Sequence, residues 1–402
     1  MDRKKNVPKI RFQNFEDEWL DSTIGRHISL LNGRAYKQEE LLDEGKYRVL
    51  RVGNFNTNSK WYYSNLELEE NKYVNKGDLL YLWATNFGPE IWNEEKAIYH
   101  YHIWKLEFDR TKINQDYLNI WLESDKNKIQ QNTNGSTMVH ITKTMMEERG
   151  ISLPNFDEQS AIGSLFRTLD DLLASYKDNL ANYQSLKATM LSKMFPKAGQ
   201  TLPEIRLDGF EGEWVEKRLK DISKRVTRKN SDLVSERALT ISAQFGLIDQ
   251  EEFFQKKIAS KDVSGYYLIK KGEFAYNKSY STGYPLGAIK RLDKYENGVL
   301  STLYILFKAV DVDSDYLAHY YESDKWHREV SMCAAEGARN HGLLNIAPAD
   351  FFNTRLVMPK ELEEQQAIGS YFSNLDSLIN SHQEKISQLE TLKRKLLQDM
   401  FI

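Results

Sequence analysis

Cysteine, proline and long apolar runs are scarce in this sequence of 402 residues. Cys333 is the one cysteine, so an internal disulfide is excluded, and such cysteine usage is typical of a reducing compartment. The longest apolar run, Leu79–Ala84, is far too short to cross a bilayer. No apolar segment follows the charged start Met1–Lys5, so we expect no secretory signal peptide. These absences together predict a cytoplasmic protein.

An excess of positive charge is also lacking, and this bears on nucleic-acid binding. The formal net charge is −3. Lys and Arg count 22 against 23 Asp and Glu in residues 1–150, 5 against 5 in 151–201, 23 against 23 in 202–356, and 5 against 7 in 357–402. Any binding of a polyanion must therefore use local basic patches or partner subunits.

Catalytic motifs are missing as well. The sequence contains no Gly-rich phosphate loop, no dinucleotide-binding glycine motif, no nucleophile elbow, and no Asn-Pro-Pro-Tyr-like tetrapeptide of amino-methyltransferases. His100 and His102 have no cysteine or acidic partner at zinc-like spacing, so we predict no metal site. Asp78 with Glu94 and Lys96 forms a nuclease-like pattern, although Asp78 also suits a simple turn. We predict no catalytic residue in this chain.

What the sequence does contain is a long internal repeat. The segment Gln159–Phe195 returns as Gln365–Phe401 without a gap, 206 positions later. The opening Val7–Trp19 returns as Leu202–Trp214. The chain therefore consists of two tandem units, each a globular segment followed by a helix, joined by a turn-like linker. Identical pairs of the helical repeat include Ala161/Ala367, Ile162/Ile368, Gly163/Gly369, Phe166/Phe372, Leu169/Leu375, Asp170/Asp376, Leu172/Leu378, Lys187/Lys393, Leu191/Leu397, Met194/Met400 and Phe195/Phe401.

Each repeated segment carries an apolar stripe with heptad spacing and no internal proline, which predicts a helix of roughly 55 Å at about 1.5 Å per residue. One interpretation places the two helices on two separate cores; the other pairs them as an antiparallel coiled coil with a face left for a partner, and we favour the pairing. Gly163 and Gly369 suggest a close approach by a neighbouring helix. The predicted coiled-coil and subunit-interface residues are Ile162, Leu165, Leu169, Leu172, Tyr176, Leu186, Ile368, Leu375, Leu378, Leu389, Leu392 and Leu396.

The globular segments repeat only in part. Lys76–Tyr81 and Lys271–Tyr276 both predict a turn leading into a buried strand, and Asp116–Lys126 and Asp315–Lys325 both predict a helix. Further strands are predicted just before the two long helices. The stretches between these elements barely align. We therefore predict a mixed α+β fold in which two tandem α/β domains share a scaffold but carry unlike surfaces.

Polar and glycine-containing loops recur in both units, and each could also be an ordinary solvated turn. Their Arg, Asn, Ser, Thr and His side chains can hydrogen-bond to base edges, whereas Lys and Arg clusters hold phosphates. The predicted DNA-binding residues are Arg34, Lys37, Thr85, Asn86, Ser136, Thr137 and His140 in the first unit, and Arg228, Lys229, Ser279, Tyr280, Ser281, Thr282, Arg339, Asn340 and His341 in the second.

Two features resemble a known family. Each long helix begins with a similar entry, Pro154 followed by Glu158–Ile162 and Pro359 followed by Glu364–Ile368, and each unit opens with a Phe-x-x-Glu-Trp motif. These features resemble the specificity subunit of type I restriction–modification systems, and the likeness extends over essentially the whole chain. No base-contacting residue can be transferred by motif, because the recognition surfaces vary within such a family.

The resemblance implies target-recognition domains at residues 1–154 and 202–359, each reading one half of a bipartite, asymmetric sequence in double-stranded DNA. It implies long helices at 155–196 and 360–402, with a linker at 197–201, that set the spacer and dock two methyltransferase subunits, with restriction subunits joining the complex in phage defence. S-adenosylmethionine, ATP and Mg would then belong to those partners, and no cofactor to this chain. The alternative is a non-catalytic protein-binding coiled-coil scaffold, which the near-neutral charge favours.

Overall fold

The structure is a computed structural model that describes residues 7–55, 58–84, 87–132, 141–242, 246–256, 262–279, 283–334 and 344–401. The chain divides into two compact units. Unit 1 comprises Met1–Lys177 and Glu384–Ile402, and unit 2 comprises Asp178–Gln383. Each unit therefore contains the C-terminal part of the long helix that belongs to the other repeat. Within the described residues, every helix is either too short or too polar to span a bilayer.

Within the described residues, the first repeat consists of short strands and three helices followed by the first long helix. Its elements are β1 Leu20–Thr23, α1 Ile24–His27, β2 Ile28–Asn32, β3 Tyr47–Leu50, β4 Tyr62–Ser64, β5 Tyr73–Val74, β6 Leu79–Leu82, β7 Gly88–Ile91, β8 Ala97–Tyr99, β9 Ile103–Phe108, α2 Gln115–Asn132, α3 Lys143–Glu147, β10 Gly150–Leu153 and α4 Phe156–Lys193.

The second repeat follows the same general order of strands and helices. In its described residues, more and shorter helices precede the long one. Its elements are β11 Val215–Arg218, α5 Leu219–Ile222, β12 Ser223–Val226, β13 Leu239–Ser242, β14 Gly246–Asp249, α6 Gln250–Phe254, β15 Tyr267–Lys270, β16 Glu273–Asn277, β17 Ala288–Arg291, β18 Asn297–Leu300, β19 Ile305–Ala309, α7 Ser314–Tyr320, α8 His327–Cys333, α9 Pro348–Phe352, β20 Arg355–Met358 and α10 Leu362–Asp399.

Each unit contains its own four-stranded antiparallel sheet, and the strands of the two sheets follow the same order. This order is β2-β9-β6-β7 in unit 1 and β12-β19-β16-β17 in unit 2. A two-stranded sheet, β1-β10 or β11-β20, precedes each long helix. The predicted turns at Gly77 and Gly272 both have positive φ, and each leads into a buried strand. The predicted internal repeat is therefore present in the topology as well as in the sequence.

The remaining strands differ between the units. Unit 1 adds a mixed sheet in the order β4-β3-β8-β5, whereas unit 2 has the separate pairs β13-β14 and β15-β18. These are the stretches where the two halves of the sequence barely align. The shared scaffold with unlike additions that the sequence predicts is thus confirmed.

The second predicted helix, Asp315–Lys325, is shorter than expected, because α7 ends at Tyr320. The hydroxyl of Ser323 donates to the Tyr320 carbonyl at 2.6 Å, and the indole N–H of Trp326 donates to the Tyr321 carbonyl at 3.1 Å. Side chains thereby take carbonyls that a continuing helix would use. In unit 1 the corresponding helix continues to Asn132.

Each long helix enters its unit through a buried glutamate. Glu158 accepts two hydrogen bonds of 2.7 Å from Arg11 and one of 3.2 Å from the indole of Trp19. Glu364 accepts equivalent bonds from Arg206 and Trp214. A buried carboxylate requires such partners, because its desolvation is otherwise costly. In each unit, therefore, the glutamate of the Glu-Gln helix entry and the tryptophan of the Glu-Trp opening belong to the same contact.

The glycines of the long helices mark a close approach, as predicted. A Cβ on Gly163 would lie 2.7 Å from the Cβ of Asp116, and one on Gly369 would lie 2.8 Å from the backbone nitrogen of Tyr316. The approaching element is the start of α2 or α7. The neighbour at this point is therefore a helix of the globular domain.

The buried stripe of the long helices differs in part from the predicted seam. Ile162, Leu169, Ile368 and Leu375 are buried as expected, and Leu165, Tyr176, Leu389 and Leu396 are partly buried. Phe166 and Leu173 complete the buried stripe of α4. Because the globular domain selects this face, the neighbouring Leu172, Leu186, Leu378 and Leu392 are exposed by 43%, 37%, 40% and 44%.

Within each unit the two long helices run antiparallel. In unit 1, Asp170 and Lys177 of α4 form ion pairs with Lys393 and Glu390 of α10, respectively. In unit 2, Lys187 of α4 binds Asp376 of α10. Tyr183 and His382 also contact each other edge to face, with ring centroids 5.2 Å apart. The predicted antiparallel pairing is confirmed.

Candidate nucleic-acid interface

The loop that begins at Gly33 lies directly against a second turn, formed by residues 100–102. The backbone N–H of Arg34 donates to the carbonyl of Tyr99 at 3.0 Å, and the N–H of Tyr101 donates back to the carbonyl of Arg34 at 3.1 Å. A Cβ on Gly33 would lie 2.3 Å from the Tyr99 carbonyl oxygen, so this position requires glycine. The two segments form one continuous surface of unit 1.

The guanidinium of Arg34 is half-buried and held in a fixed position. It donates to Glu40 at 2.7 Å and lies 5.4 Å from the ring centroid of Tyr36. The pKa of Glu40 is lowered by hydrogen bonds from the backbone N–H of Lys37 and from Arg34, so the carboxylate stays ionised. The Lys37 side chain is exposed, 3.8 Å from Glu39. Arg34 is therefore oriented before any ligand arrives.

An aromatic cluster surrounds the turn at residues 100–102. The ring of Trp83 stacks on Trp104, with centroids 5.8 Å apart, and meets the ring of His102 edge to face at 4.9 Å. Its indole N–H donates to the carbonyl of Tyr101 at 2.9 Å. Tyr101 itself is 38% exposed. Stacked rings of this kind hold the turn rigidly while leaving one aromatic face in solvent.

The two histidines of this turn lie close together, with ring centroids 4.8 Å apart. Burial lowers the pKa of His100 to about 4, and the nearby charges of His102 and Arg51 act in the same direction. His100 is therefore neutral at physiological pH. Its Nδ1 accepts from the backbone N–H of His102 at 3.5 Å, which places the ring proton on Nε2. The sequence pattern pointed to these histidines only as possible metal ligands. It did not predict that they lie beside Arg34.

In unit 2, the predicted basic residues are bound within the fold. Arg228 donates to both carboxylate oxygens of the buried Glu273, at 3.0 and 2.8 Å. The ammonium of Lys229 donates to the carbonyl of Gly265 at 2.8 Å and lies 4.4 Å from the ring centroid of Tyr267. These contacts fix the Lys229 cation at the start of β15 and the Arg228 cation at the start of β16. Ser279 N–H donates to the side chain of Asn277 at the end of β16, 3.0 Å away.

Eleven of the predicted DNA-binding residues lie outside the described residues, and for them the prediction stands as made from the sequence. They are Thr85, Asn86, Ser136, Thr137, His140, Tyr280, Ser281, Thr282, Arg339, Asn340 and His341.

The nuclease-like residues each have a separate partner. Asp78 accepts from the backbone N–H of Asn75 at 2.8 Å and so closes the turn before β6. The equivalent Glu273 accepts from Lys270 N–H in the same way. Lys96 binds Glu70 at 3.0 Å, and Glu94 binds Arg48. The turn explanation for Asp78 is sufficient.

Comparison with known proteins gives a consistent result. Residues 16–182 match the type I restriction modification DNA specificity domain. The MjaVIII specificity subunit of Methanocaldococcus jannaschii is 23% identical over 413 aligned positions, which cover 98% of this chain and 95% of that protein. The EcoBI specificity subunit of Escherichia coli is 25% identical over 175 residues, 43% of this chain and 36% of that protein.

Solved structures show the same fold. The S subunit of a type I restriction–modification system from M. genitalium superposes with a TM-score of 0.62 at 16% identity, and the match covers 98% of this chain and 99% of that one. A chain from a structural study of complex assembly and conformational transition in a type I restriction–modification system superposes with a TM-score of 0.51 at 14% identity. That match covers 96% of this chain and 98% of the other.

Proposed function

Because this chain belongs to the family of type I restriction–modification DNA specificity subunits, we propose that it reads a bipartite, asymmetric DNA sequence and carries partner subunits to it. Each unit reads one half-site, meaning one of the two separated parts of the target. The observation that carries this proposal is a repeated sheet and helix scaffold, identical in strand order, that bears two unlike surfaces. A repeated scaffold suits a repeated ligand such as duplex DNA, and unlike surfaces suit two different base sequences.

The long helices set the spacer between the half-sites. Each helix has 38 residues and so extends for about 57 Å at 1.5 Å per residue. This length corresponds to roughly one and a half turns of duplex DNA, at 34–36 Å per turn. The buried Arg–Glu–Trp contact at each helix entry makes the join between helix and sheet stiff, which a molecular ruler requires.

Two methyltransferase subunits dock on the long helices, and restriction subunits join the same complex. The exposed leucines support this arrangement, because Leu172 and Leu378 occupy identical positions in the repeat, as do Leu186 and Leu392. An exposed leucine that occurs twice at equivalent positions suits two copies of one partner. The chain is the non-catalytic reader in the cytoplasm, while the S-adenosylmethionine, ATP and Mg chemistry resides on the partners. The partners also supply positive surface for the DNA backbone, which this chain of net charge −3 lacks.

Within the recognition domains, the predicted contacts remain those derived from the sequence. Arg34, Thr85, Asn86, Ser136 and Thr137 face one half-site. The residues that face the other half-site are Lys229, Ser281, Thr282, Arg339 and Asn340. A base-reading arginine replaced by alanine should cost about 1–3 kcal/mol and relax one base position.

Selection of binding sites from random duplexes tests the function directly. The complex of this chain with its methyltransferase partner is incubated with the random pool, and bound DNA is recovered and sequenced. We expect one split motif with a fixed spacer. A scaffold that only binds proteins would enrich no sequence over the pool recovered by the partner alone, and that result would refute the proposal.

A further inference from the structure

Two turns occupy the same place in the shared four-stranded sheets. In unit 1, the turn His100–His102 leads into β9, and the backbone N–H of Ile103 donates to the first turn carbonyl at 3.0 Å. In unit 2, the turn Ser301–Leu303 leads into β19, and Tyr304 N–H donates to the first turn carbonyl at 3.1 Å. The same hydrogen bond closes both turns, so the backbone presents three successive side chains in the same manner.

The register of the neighbouring strands confirms that these turns are equivalent. Tyr81 of β6 pairs with Trp104, and Tyr276 of β16 pairs with Ile305. Both partners lie two residues beyond the end of their turn. The strands that follow the turns, β9 and β19, begin with buried residues in both units. The two turns themselves have no residue type in common.

The two turns carry wholly unlike side chains, and the exposed ones are Tyr101 in unit 1 and Thr302 and Leu303 in unit 2. Unit 1 carries His-Tyr-His, with Tyr101 38% exposed, and unit 2 carries Ser-Thr-Leu, with Leu303 57% exposed. The Leu303 side chain, more than half exposed, gains little from packing within its own unit. Positions that differ completely on a shared, buried scaffold are suited to distinguishing two ligands that share a general shape.

The turn of unit 1 is held firmly by its neighbours. Leu50 accepts from the backbone N–H of His100 at 2.9 Å, Arg34 accepts from that of Tyr101 at 3.1 Å, and Trp83 donates to the carbonyl of His102 at 3.2 Å. Because its backbone groups are satisfied, the turn loses little conformational entropy when its side chains meet a ligand. Such preorganisation is what base-edge recognition requires.

Building on the proposed function, we propose that the turn His100–His102 reads base edges in one half-site and that the turn Ser301–Leu303 reads base edges in the other. Imidazole and phenol groups can donate hydrogen bonds to the N7 and O6 acceptors of purines in the major groove. The flanking guanidinium groups of Arg34 and Arg51 suit the adjacent phosphates. Arg51 is positioned over the ring of Tyr62, 4.3 Å from its centroid.

The second turn has a different recognition chemistry. Serine and threonine hydroxyls can pair with several base edges, and the methyl groups of Leu303 suit the C5-methyl group of thymine. Lys278 follows β16 at the position that Trp83 occupies after β6. Its ammonium donates to the carbonyl of Ile346 at 3.2 Å. The two turns should therefore prefer different bases.

Exchange of the turns provides the test. In the complex with the methyltransferase partner, the triple variant H100S/Y101T/H102L gives unit 1 the turn chemistry of unit 2. Random-duplex selection should then show an altered base preference of about 5-fold or more at one or two positions of one half-site. The other half-site and the spacer should be unchanged. H27A serves as the control, because His27 lies at the opposite end of β2 from Arg34 and bonds to Ser22 within the unit.

Single variants Y101A and L303A accompany the exchange in case the triple variant does not fold. Each should relax preference in one half-site only, and not the same one. If the wild-type complex selects no motif, the proposed function itself fails. If it selects a split motif that the turn variants retain, or if they weaken all sequences equally, the function stands and this inference is overturned. Restoration of the original turn residues should restore the original motif.

Discussion

The ammonium of Lys187 lies 2.5 Å from a carboxylate oxygen of Asp376, and the repeat-related Lys393 lies 2.8 Å from Asp170. Each contact joins the last turns of one long helix to the middle of the other long helix. A glutamate of the globular domain completes each group, Glu322 at 2.8 Å from Lys187 and Glu123 at 3.0 Å from Lys393. Each unit therefore contains one lysine that binds two carboxylates in the same arrangement.

Replacing Lys187 by methionine should destabilise unit 2 by about 1–3 kcal/mol. The substitution leaves Glu322 and Asp376 close together without their shared cation. Fully buried pairs lose about 3–5 kcal/mol when one partner is removed, and the partial exposure of this group reduces the cost. Urea unfolding measures the change. K193M, on the exposed side of the same helix, should leave the unfolding free energy within about 0.5 kcal/mol of wild type. Equal effects of the two variants would contradict the proposed role of Lys187.

The same group should make unit 2 sensitive to acid. Burial alone would raise the pKa of Glu322, but the hydrogen bond from His319 and the charges of Lys290 and Lys187 lower it well below its usual value. A lowered folded-state pKa stabilises the fold above the unfolded-state pKa of about 4.3, and this stabilisation is lost as pH falls further. The unfolding free energy of wild type should therefore fall below about pH 5 more steeply than that of E322Q. Parallel pH profiles for the two proteins would contradict this.

Alanine at Gly369 should destabilise the protein even though alanine favours helices by about 1 kcal/mol. Its Cβ would lie 2.8 Å from the backbone nitrogen of Tyr316 and 2.9 Å from the side chain of Asp313, so backbone must move. Overpacking of this kind typically costs about 1–3 kcal/mol. Thermal unfolding measures the result. The control is S370A, one position along on the exposed side of α10, where the effect should be neutral or slightly stabilising.

The sequence predicts the scaffold well because the signals for it are local or repeated. Heptad spacing predicts the two long helices, and the repeated Gly77 and Gly272 turns predict strands β6 and β16. Of the predicted coiled-coil and subunit-interface residues, Leu172 and its relatives are exposed on their helices, and for a subunit interface the prediction stands as made from the sequence. Spacing alone cannot decide which of two neighbouring apolar faces is buried, since contact with the globular domain decides it.

The surface that joins Arg34 to the turn at residues 100–102 was harder to predict, because long-range pairing creates it. The turn at residues 100–102 becomes part of the Arg34 surface only through backbone contacts between Arg34 and the Tyr99–Tyr101 strand end. Alignment of the repeats could have found this turn. However, its offset between the units differs from that of the opening segments, because the intervening stretches differ in length. In unit 2, Arg228 satisfies the buried Glu273, which no local pattern predicts.

Glutamine in place of the exposed leucines should weaken the binding of methyltransferase subunits without unfolding the chain. Each unit exposes one such leucine from each long helix: Leu172 and Leu392 in unit 1, and Leu186 and Leu378 in unit 2. The pair L172Q/L392Q should raise the dissociation constant for one partner subunit about tenfold or more, because buried leucines contribute about 1.5–3 kcal/mol each. Sedimentation measures the stoichiometry. The control is M332Q, because Met332 is also exposed, by 57%, but lies outside the two long helices. Unchanged assembly of the leucine variant would place the docking surface elsewhere.

Alanine at Phe401 should destabilise unit 1 rather than unit 2, although this residue ends the second repeat. Phe401 is buried in the core of unit 1, with ring centroids 5.8 Å from Tyr117 and 6.0 Å from Phe166. Loss of a buried phenylalanine typically costs about 3–5 kcal/mol. Hydrogen exchange followed by mass spectrometry should show faster exchange in peptides of β9 and α2, with those of β19 unaffected.

The reciprocal variant decides whether this exchange of helix ends is real. Phe195 ends the first repeat but lies in the core of unit 2. Its ring stacks on Phe372, with centroids 5.9 Å apart, and lies tilted against Tyr316 at 5.6 Å. F195A should therefore accelerate exchange in β19 and α7 and leave β9 and α2 protected. Because the two variants remove the same side chain from equivalent positions, each is the matched control for the other. If each instead loosened the globular domain of its own repeat, the assignment of helix ends to the two units would be wrong.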